Sequence, residues 1–500
     1  MKSFFERFSH KKELRELRQS VDTLNVTIKA MQKTMAANTA AQKTAAQKGA
    51  AVKKPKPTGI PLAIVGTRGH GQKHIAAFLK LKGCYIHTIC DVDTRVGKAT
   101  ADKIATATGH RPKVVQDLDK VLADPAVKAV SIATPHHWHA LSTVRALQAG
   151  KHVYIEKPIT HSYAEGPVVL AAAAKYNRVV QAGTQLRSNT SLAAAGDYMR
   201  AGKMGDITLV HCIVHKDRPP VPLSNTNNIP ATVDYDLWCG PADKDAVTRS
   251  KFHYHWHWLW RLGNGALGNN GIHRVDAARI ALDLKGHGEL TFSMGGRYGD
   301  QDSGETPNNM LSLQKFGGTW ILQDILGLNP KPFKGLENAV VFYGTKGTIV
   351  YKGGYAALVD KNFKEIERFE GKQLSHYDNF LKAIAADDPA AVRGDLAEAI
   401  LSGDLCHFGN ISYRVGTTGS FDDATQKLRD LDVPEVVHDR LAALRENLVE
   451  NTVTPQDIII GDVLHHTGDA DKPFGDNPAA EELLRTTYRD GYRLPSVDQV

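Results

Sequence analysis

Hydrophobic and polar positions between residues 60 and 182 form two alternating kinds of segment. Short apolar runs are typical of strands buried on both faces, and longer amphipathic segments are typical of helices. The predicted strands are Ile60–Val65, Cys84–Cys90, Val127–Ala133, Val153–Ile155 and Arg178–Gln181, and the predicted helices are Gln72–Lys82, Ala140–Ala149 and Tyr163–Tyr176. Strands that alternate with helices in this way predict a doubly wound parallel sheet of the Rossmann type, and hence an α/β fold.

Strands recur without intervening helices after residue 185, which predicts a second α/β domain with a large open, mostly antiparallel sheet. Glycine pairs or Lys-Gly steps separate some of them, as hairpins require. The predicted strands are Ile207–His215, Leu290–Met294, Asn309–Lys315, Thr319–Asp324, Ala339–Phe342 and Gly347–Tyr351, and the predicted helices are Ser375–Ala386 and Ala397–Asn410. We therefore predict a Rossmann domain at 59–184, a substrate and dimerisation domain at 185–419, and a C-terminal extension at 420–500 packed on the body.

The first 58 residues differ from the rest of the chain. Apolar side chains recur at alternating steps of three and four, a heptad seam that predicts a helical, coiled-coil arm at 1–35; they are Leu14, Leu17, Val21, Leu24, Ile28, Met31 and Met35. Residues 36–58 are rich in Ala, Gln, Lys and Pro and predict a low-complexity linker. Such an arm favours a homo-oligomer, a dimer or tetramer. The alternative is an amphipathic helix on the body or on an anionic membrane, anchored by Phe4, Phe5 and Phe8.

The net charge of +8 misleads, because it resides in the arm. Residues 1–58 hold 13 Lys and Arg against 4 Asp and Glu, whereas the remainder holds 49 against 50. With no nucleic-acid module beside the basic arm, we expect no nucleic-acid partner. No apolar run reaches the roughly 20 residues of a membrane span. Without a signal peptide or twin-arginine pair, we expect a cytoplasmic protein.

A glycine-rich loop follows the first strand and precedes the first helix. In a dinucleotide fingerprint such glycines allow a tight turn and close approach to the pyrophosphate, with Arg68 here standing at the second glycine position. Asp91 ends the next strand, 20 residues after Gly71, where an acid binds a ribose hydroxyl and disfavours a 2′-phosphate. The cofactor is therefore predicted to be NAD, with NADP less favoured. The expected cofactor residues of this part are Gly66, Thr67, Arg68, Gly69, Gly71 and Asp91.

Two further strand ends carry polar groups. Glu156, Lys157 and Pro158 follow one strand, and Pro158 stiffens the backbone that carries the amine. Thr134 and Pro135 follow the neighbouring strand, with His139 opening the next helix. Because open α/β sheets bind ligands at the carboxyl ends of their strands, we expect these groups to meet the cofactor.

Together these motifs and Gly268-Asn269-Asn270-Gly271-Ile272-His273 resemble the glucose–fructose oxidoreductase / inositol dehydrogenase (Gfo/Idh/MocA) family, from about residue 60 to the C-terminus. The resemblance implies that Lys157 and His273 are catalytic. The family's acid falls here on Asn269, an amide that can position but cannot accept a proton. The proton relay then rests on His273 and Lys157, or borrows Asp276.

The chemistry expected of the site is alcohol oxidation. His273 is the preferred base because imidazole titrates near neutral pH, and Lys157 can stabilise a developing alkoxide. Asp276, three residues later, either orients His273 or pairs with Arg274 or Arg279 on the helix surface.

The expected substrate residues include an aromatic stretch, residues 252–260. Its rings suit sugar faces, although plain core packing is the alternative, and we predict no metal despite three alternating histidines. Gln185 and Arg187 either reach the substrate or form a polar hinge. The expected substrate contacts are Gln185, Arg187, His255, Trp256, Trp258 and His273.

These residues favour an NAD(P)-dependent oxidoreductase that acts on a hydroxyl of a sugar, sugar acid or cyclitol. A second hypothesis is redox-neutral glycoside cleavage, in which transient oxidation permits elimination and the hydride returns. Asn269 and the ring-rich stretch favour this alternative somewhat. A third is a non-catalytic NAD or sugar sensor.

Overall fold

A computed structural model describes residues 57–218, 220–224, 227–299, 302–454, 457–475 and 477–500. The predicted coiled-coil arm (1–35) lies outside the described residues, as does the predicted linker (36–58) apart from Pro57 and Thr58. Residues 58–500 form one compact unit, to which the following description applies.

The first sheet is parallel throughout, with the strand order β3-β2-β1-β4-β5-β6. Helices connect most of its strands, which confirms the predicted doubly wound architecture. The strands are β1 (Ile60–Val65), β2 (Cys84–Cys90), β3 (Lys113–Val115), β4 (Ala129–Ile132), β5 (His152–Ile155) and β6 (Val180–Ala182). The helices are α1 (His70–Phe78), α2 (Thr94–Thr108), α3 (Leu118–Leu122), α4 (His139–Gln148) and α5 (Glu165–Tyr176).

The strand order reverses between β1 and β4, where successive connections leave to opposite sides of the sheet. Such a switch point leaves a crevice at the carboxyl ends of the strands. Residues that follow β1, β2, β4 and β5 therefore come together at one edge, as predicted for this sheet. The strands themselves are apolar and buried, so this edge is where polar groups become available.

The second sheet has eleven strands along the path β14-β13-β12-β11-β7-β10-β9-β8-β16-β15, with β17 paired to β8. Its neighbours are antiparallel except β7 and β10, so the predicted mostly antiparallel sheet is confirmed as a mixed one. The strands are β7 (Ile207–His215), β8 (Leu290–Gly296), β9 (Asn309–Phe316), β10 (Thr319–Leu326), β11 (Asn338–Gly344), β12 (Gly347–Lys352), β13 (Tyr355–Val359), β14 (Glu365–Phe369), β15 (Thr417–Gly419), β16 (Ile458–Ile460) and β17 (Leu464–His465).

Helices α6 (Thr190–Arg200) and α8 (Ile272–Leu282) pack against one face of this sheet around a core that includes Val210, Phe342 and Cys406. The other helices after residue 200 are α7 (Tyr235–Cys239), α9 (His376–Ala386), α10 (Leu396–Arg414), α11 (Phe421–Asp430), α12 (Glu435–Glu450) and α13 (Pro478–Glu482). Helices α11 and α12 cover the other face, with Leu428, Leu441 and Leu448 buried.

Helix α9 joins the two predicted domains more closely than the sequence boundaries suggest. Phe380 and Leu381 pack with Leu62 and Ile64 of β1, so a helix assigned to the second domain completes the core of the first. No helix in the described part of the chain is long and apolar enough to cross a membrane.

Candidate active site

A cavity of about 640 Å³ opens at the carboxyl edge of the first sheet and is lined by residues of both sheets' connections. This volume lies within the range of small-molecule and cofactor sites. Its walls come from parts of the chain that are far apart in sequence: residues 65–70, 90–92, 116–119, 133–145, 156–157, 216–218, 237–238, 253–273 and 491–492.

The loop after β1 is shaped by two glycines. Gly66 has a φ of 78°, and a Cβ there would lie 2.7 Å from the carbonyl oxygen of Ala133. A Cβ on Gly71 would lie 2.0 Å from the carbonyl oxygen of Gly66. Gly69, which precedes α1, has no side chain to cap the helix, and the N–H of Gly71 donates to the carbonyl oxygen of Arg68 at 2.8 Å. The start of α1 thus faces the loop, where a helix N-terminus favours phosphate groups. Only glycines permit this compact turn.

Asp91 is held firmly at the end of β2. Its Oδ2 accepts from the backbone N–H of Thr67 at 2.9 Å and from the Thr67 hydroxyl at 2.7 Å, and its Oδ1 accepts from Asp93 N–H at 3.0 Å. Gly66, Thr67, Arg68, Gly69 and Asp91 all line the cavity, whereas Gly71 lies behind the loop and shapes it.

These residues fit a dinucleotide. The two glycines let the backbone turn tightly beside the cavity, where a Cβ at position 66 or 71 would collide with a carbonyl oxygen. Asp91 lines the cavity at the end of β2, the position at which an acid binds a ribose hydroxyl. Thr134 and Pro135 line the same cavity. His139 also lines the cavity, and it joins two loops, with Nδ1 2.6 Å from the carbonyl oxygen of Pro158 and Nε2 2.8 Å from that of Thr134.

Glu156 lines the cavity and is the centre of a hydrogen-bond network. Its Oε1 is 3.0 Å from His74 Nε2 and accepts from Gln185 Nε2 at 3.0 Å, while Oε2 accepts from Lys157 N–H at 3.2 Å. Burial alone would raise the pKa of Glu156, but hydrogen bonding to His74 and nearby charge lower it below its ordinary range. The carboxylate therefore stays ionised beside the amine of Lys157.

Lys157 extends from the end of β5 to the turn before α8. Its ammonium donates to the carbonyl oxygen of Asn269 at 2.5 Å and lies 3.4 Å from Asn269 Oδ1. Burial lowers the pKa of Lys157 to about 8, although Glu156 opposes this. The amide at position 269 thus contributes both its backbone and side-chain oxygens to holding the amine. Residues 267–271 form a π-helical turn, a feature often found at functional sites.

His273 begins the first turn of α8 and lines the cavity. Burial, and next the charge of Lys157, lower the pKa of His273 well below its ordinary value, so the ring is neutral. Among the described residues no hydrogen bond to its ring is found, which leaves both nitrogens to a ligand. Two further histidines of the cavity, His136 and His257, are neutral for the same reason, burial.

The predicted aromatic wall exists, but its members differ from those expected. Residues 255–258 form a 3₁₀ turn rather than a strand, in which Leu259 N–H donates to Trp256 O at 3.3 Å and His257 N–H donates to Tyr254 O at 3.4 Å. A turn does not place alternate residues on one face. Trp256 lines the cavity, whereas His255 and Trp258 do not, since Trp258 packs into the second core. The cavity is lined instead by His253, Tyr254, Trp256 and His257, together with His136.

The ring contacts of this wall are close. Trp256 stacks on His257 with centroids 3.6 Å apart, and His136 meets Trp256 edge-on at 4.9 Å. Asn264, buried and missed by the sequence analysis, fixes His136 because its Oδ1 lies 3.0 Å from His136 Nδ1. Such a wall can stack on the C–H face of a sugar ring.

Asp276 and Arg187 bind each other rather than the groups expected of them. Arg187 donates to Asp276 from Nη2 at 2.6 Å and from Nε at 3.0 Å, and Ser402 donates to the same carboxylate at 2.8 Å. Asp276 therefore does not orient His273, and neither Asp276 nor Arg187 is among the residues lining the cavity. Gln185 is also outside the lining, because it supports Glu156 and the Tyr154 hydroxyl.

Two cations of the cavity were missed by the sequence analysis. Lys216 and Arg218 follow β7 and both line the cavity. Their spacing of two residues after a strand was the available signal, since it places both on one side of an extended chain. His70, inside the glycine loop, was missed as well.

One group of side chains in the described residues has metal-ligand spacing, although no metal was predicted. The ligand atoms of His70, His74 and Glu156 lie within 4.8 Å of one another. His74 is already bound on both sides, by Ser131 at 2.8 Å and Glu156 at 3.0 Å. The arrangement is accounted for as a support for Glu156.

Two family models match the chain. One, described as an oxidoreductase family with an NAD-binding Rossmann fold, covers residues 60–184, and the other, described as the C-terminal alpha/beta domain of an oxidoreductase family, covers residues 222–443. Together they account for more than half of the chain. Both models describe the Gfo/Idh/MocA family, which the sequence resembles in its glycine loop, its Glu-Lys-Pro step and the turn before His273.

Curated relatives match over shorter stretches. Inositol 2-dehydrogenase 1 of Saccharopolyspora erythraea is 30% identical over 156 residues, 31% of this chain and 45% of the relative. A glycosyl hydrolase family 109 protein of Shewanella baltica is 28% identical over 109 residues, 21% of this chain and 24% of the relative. The chain therefore spans about half or less of the length of these relatives.

Among solved structures, the WlbA dehydrogenase of Bordetella pertussis, in complex with NADH and UDP-GlcNAcA, has a TM-score of 0.53 at 20% identity. The similarity covers 70% of this chain and 96% of that one. At this identity the likeness concerns the fold.

Proposed function

The chain belongs to the Gfo/Idh/MocA oxidoreductase family, and from this premise we propose that it is an NAD-dependent enzyme that oxidises or reduces a hydroxyl-bearing carbon of a sugar, sugar acid or cyclitol. The observation that carries the proposal is the position of Lys157, a buried amine that meets the turn before His273 on the wall of the predicted cofactor cavity.

Lys157 is the proposed proton acceptor. With a pKa lowered to about 8, a useful fraction of the amine is neutral near physiological pH, and its lone pair can take the hydroxyl proton. His273, whose pKa is far lower, is a weaker base than the sequence suggested. We assign it the role of accepting a hydrogen bond from the substrate hydroxyl and orienting it toward Lys157.

When bound, NAD supplies the hydride acceptor, since nicotinamide carries the difficult step. The chain supplies the surroundings: Asn269 fixes the amine through its two oxygens, and Glu156 keeps a negative charge beside it. Trp256, His136 and His257 form the wall on which a sugar ring would stack.

Redox-neutral glycoside cleavage is the second candidate. It is favoured by the amide at position 269, where the family has an acid, and by the glycosyl hydrolase relative, which aligns with about a fifth of the chain. In this mode the oxidised carbon acidifies a neighbouring C–H, the substituent is eliminated, and the hydride returns. Net NADH would then not accumulate.

One assay separates these functions. The purified protein is incubated with NAD and a panel of sugars, cyclitols and aryl glycosides, while NADH absorbance and aglycone release are followed together. Accumulating NADH supports the dehydrogenase, and aglycone release without net NADH supports cleavage. NAD binding with neither product would overturn both and favour a sensor. The homo-oligomer and the cytoplasmic location remain predictions for sedimentation and fractionation.

A further inference from the structure

Arg218 is a buried cation on the cavity wall that the proposed reaction does not use. It lies just beyond β7, where its backbone N–H donates to the carbonyl oxygen of Gly327 at 2.6 Å. Only 8% of the residue is exposed, yet it lines the cavity. The little of Arg218 that is exposed therefore faces the cavity.

The partners of Arg218 are all neutral. It donates to the Tyr254 hydroxyl at 3.1 Å and to Asn270 Oδ1 at 2.5 Å, and it stacks over Trp258 at 5.0 Å from the ring centroid. Among the described residues no carboxylate lies within ion-pair distance. Asp217 is adjacent, but its carboxylate accepts from the amide of Asn329 at 3.1 Å. Since burial of a charge without a counter-charge is costly, this arrangement points to an anionic ligand.

Other charged residues that line the cavity add to the excess of positive charge around Arg218. Lys157 and Lys216 also line it, and the carboxylate beside Lys157, that of Glu156, is engaged by His74, Gln185 and the backbone N–H of Lys157. Because burial keeps the neighbouring histidines neutral, they neither add to nor cancel the charge. The local balance is positive.

Arg218 is also close to the reacting groups. Lys157 binds the carbonyl of Asn269, and Arg218 binds the side chain of Asn270, the next residue. The groups that bind the amine and the guanidinium therefore belong to adjacent residues of the turn before His273. The cofactor's phosphates would lie elsewhere, at the loop that follows β1.

We propose that Arg218, assisted by Lys216 at the cavity mouth, binds a carboxylate of the substrate, so that the substrate is an acidic sugar such as a glycuronic or aldonic acid. This inference rests on the proposed oxidoreductase function and narrows its substrate class. A guanidinium fork binds a carboxylate through paired hydrogen bonds. Two of its five N–H groups are already engaged, which leaves three for the carboxylate.

The test compares matched substrates on the NAD-loaded protein. We compare kcat/KM for neutral sugars, sugar carboxylates, sugar phosphates and aryl glycosides, and we measure both NADH formation and aglycone release. The compounds are glucose and galactose, glucuronate and galacturonate, gluconate, the corresponding 6-phosphates and aryl glycosides. We expect turnover of one or more of the carboxylates in preference to its neutral counterpart. Arg218→Gln should reduce kcat/KM for that carboxylate at least about 30-fold, since removal of one partner of a buried charged hydrogen bond has effects of this size. Lys361→Gln, which removes an exposed lysine far from the cavity wall, is the matched control and should change nothing.

Arg218→Lys guards against a folding defect. It keeps the charge but loses the fork, so it should retain more carboxylate turnover than Arg218→Gln at an unchanged melting temperature. The inference would be overturned if the wild type turned over neutral and acidic sugars equally well and Arg218→Gln did the same. The oxidoreductase proposal would remain intact. Preference for the 6-phosphates would overturn the inference too. If no sugar is turned over, the binding of the sugar carboxylates is measured by calorimetry. Carboxylate binding that depends on Arg218 then supports the acidic ligand, although the oxidoreductase proposal fails. Absence of such binding overturns both proposals.

Discussion

Lys157 is the residue whose protonation decides the direction of the proposed chemistry. Its ordinary pKa of 10.5 would leave it charged throughout the physiological range, but burial lowers the pKa to about 8. Below that value the ammonium can only donate, which suits reduction of a carbonyl. Above it, the neutral amine can accept a proton, which suits oxidation of a hydroxyl. Glu156 limits the shift, because its negative charge favours the ammonium.

We therefore predict that kcat/KM for oxidation rises with pH and levels off above about pH 8. The sign follows from the lowered pKa, since the neutral form of Lys157 grows as pH approaches and passes that value. Initial rates across a buffered pH series test it. Lys157→Arg, which cannot lose its proton in this range, should abolish turnover while NAD affinity stays nearly intact. Full activity of Lys157→Ala would contradict the assignment.

Arg187 and Asp276 form a buried ion pair behind the site. Asp276 is 1% exposed, and removing its charge would leave the guanidinium without its main partner. We predict that Asp276→Asn lowers the free energy of unfolding by about 3–5 kcal/mol, with NAD affinity unchanged. Urea denaturation measures the loss. Asp490→Asn, at the exposed pair with Arg493, should have no effect and serves as control.

The double variant Arg187→Met with Asp276→Leu adds a second check. Replacing both partners removes the unpaired charge, so most of the lost stability should return. A different result would contradict the role of Asp276 in stabilising the fold. In that case Asp276→Asn would be as stable as the wild type but would shift the pH profile of oxidation, which would mean that Asp276 acts on His273 without contacting it directly.

At the scale of elements, the loop between β1 and α1 depends on backbone approach rather than on side-chain contacts. Gly71 marks the closest point, because a Cβ would meet the Gly66 carbonyl at 2.0 Å. We predict that Gly71→Ala opens the loop and weakens NAD binding at least about tenfold, a cost of about 1.4 kcal/mol or more. Calorimetric titration with NAD measures this. Gly318→Ala, in a hairpin with nothing within 4 Å of the added Cβ, should bind NAD as the wild type does. Equal affinities of both variants would contradict the prediction.

Elements with strong periodicity were predictable from the sequence. Strands Ile60–Val65, Cys84–Cys90 and Ile207–His215 have the predicted bounds, because long apolar runs leave little choice of conformation. Strand β3 was missed, since three residues carry too little pattern. Helix α6 was also missed, although Asn189 caps it by accepting from Leu192 N–H at 2.9 Å. The parallel pairing of β7 with β10 depends on partners more than a hundred residues apart, which no local pattern reveals.

Site residues that directly follow strands could be predicted from the sequence. Site residues whose position depends on tertiary contacts could not. The residues around Gly66, Asp91, Thr134 and Lys157 meet on one cavity because parallel strands end at one edge. The pairing of Arg187 with Asp276 spans 89 positions, so nothing in either neighbourhood announced it. The alternating histidines of residues 253–257 have the period of a strand, but the chain turns there, which moves His255 away from the cavity.

At the scale of the whole molecule, the cavity is closed by segments that are distant in sequence. The stretch from Thr232 to Asp236 lies against the residues that follow β2, where Thr94 N–H donates to Thr232 O at 2.9 Å. The C-terminal residues approach from the other side, and Tyr492 meets Trp138 edge-on at 5.6 Å while lining the cavity. Arg489 links the two, because it donates to Asp236 Oδ1 at 2.6 Å and to the carbonyl oxygen of Gly240 at 3.0 Å.

This connection predicts how fast NAD leaves. Arg489→Ala should leave the C-terminal residues held to Asp236 only by the Tyr492 hydroxyl, at 3.3 Å, and so loosen one wall of the cavity. NAD should then dissociate about tenfold faster, with a smaller effect on association. Stopped-flow displacement of NADH measures both rates. Arg493→Ala removes a cation four residues on whose pair with Asp490 is fully exposed, and it should release NADH at the wild-type rate. Identical rates for both variants would mean that the C-terminal residues line the cavity without retaining the cofactor; a slower association in Arg489→Ala alone would place the contact in the entry path instead.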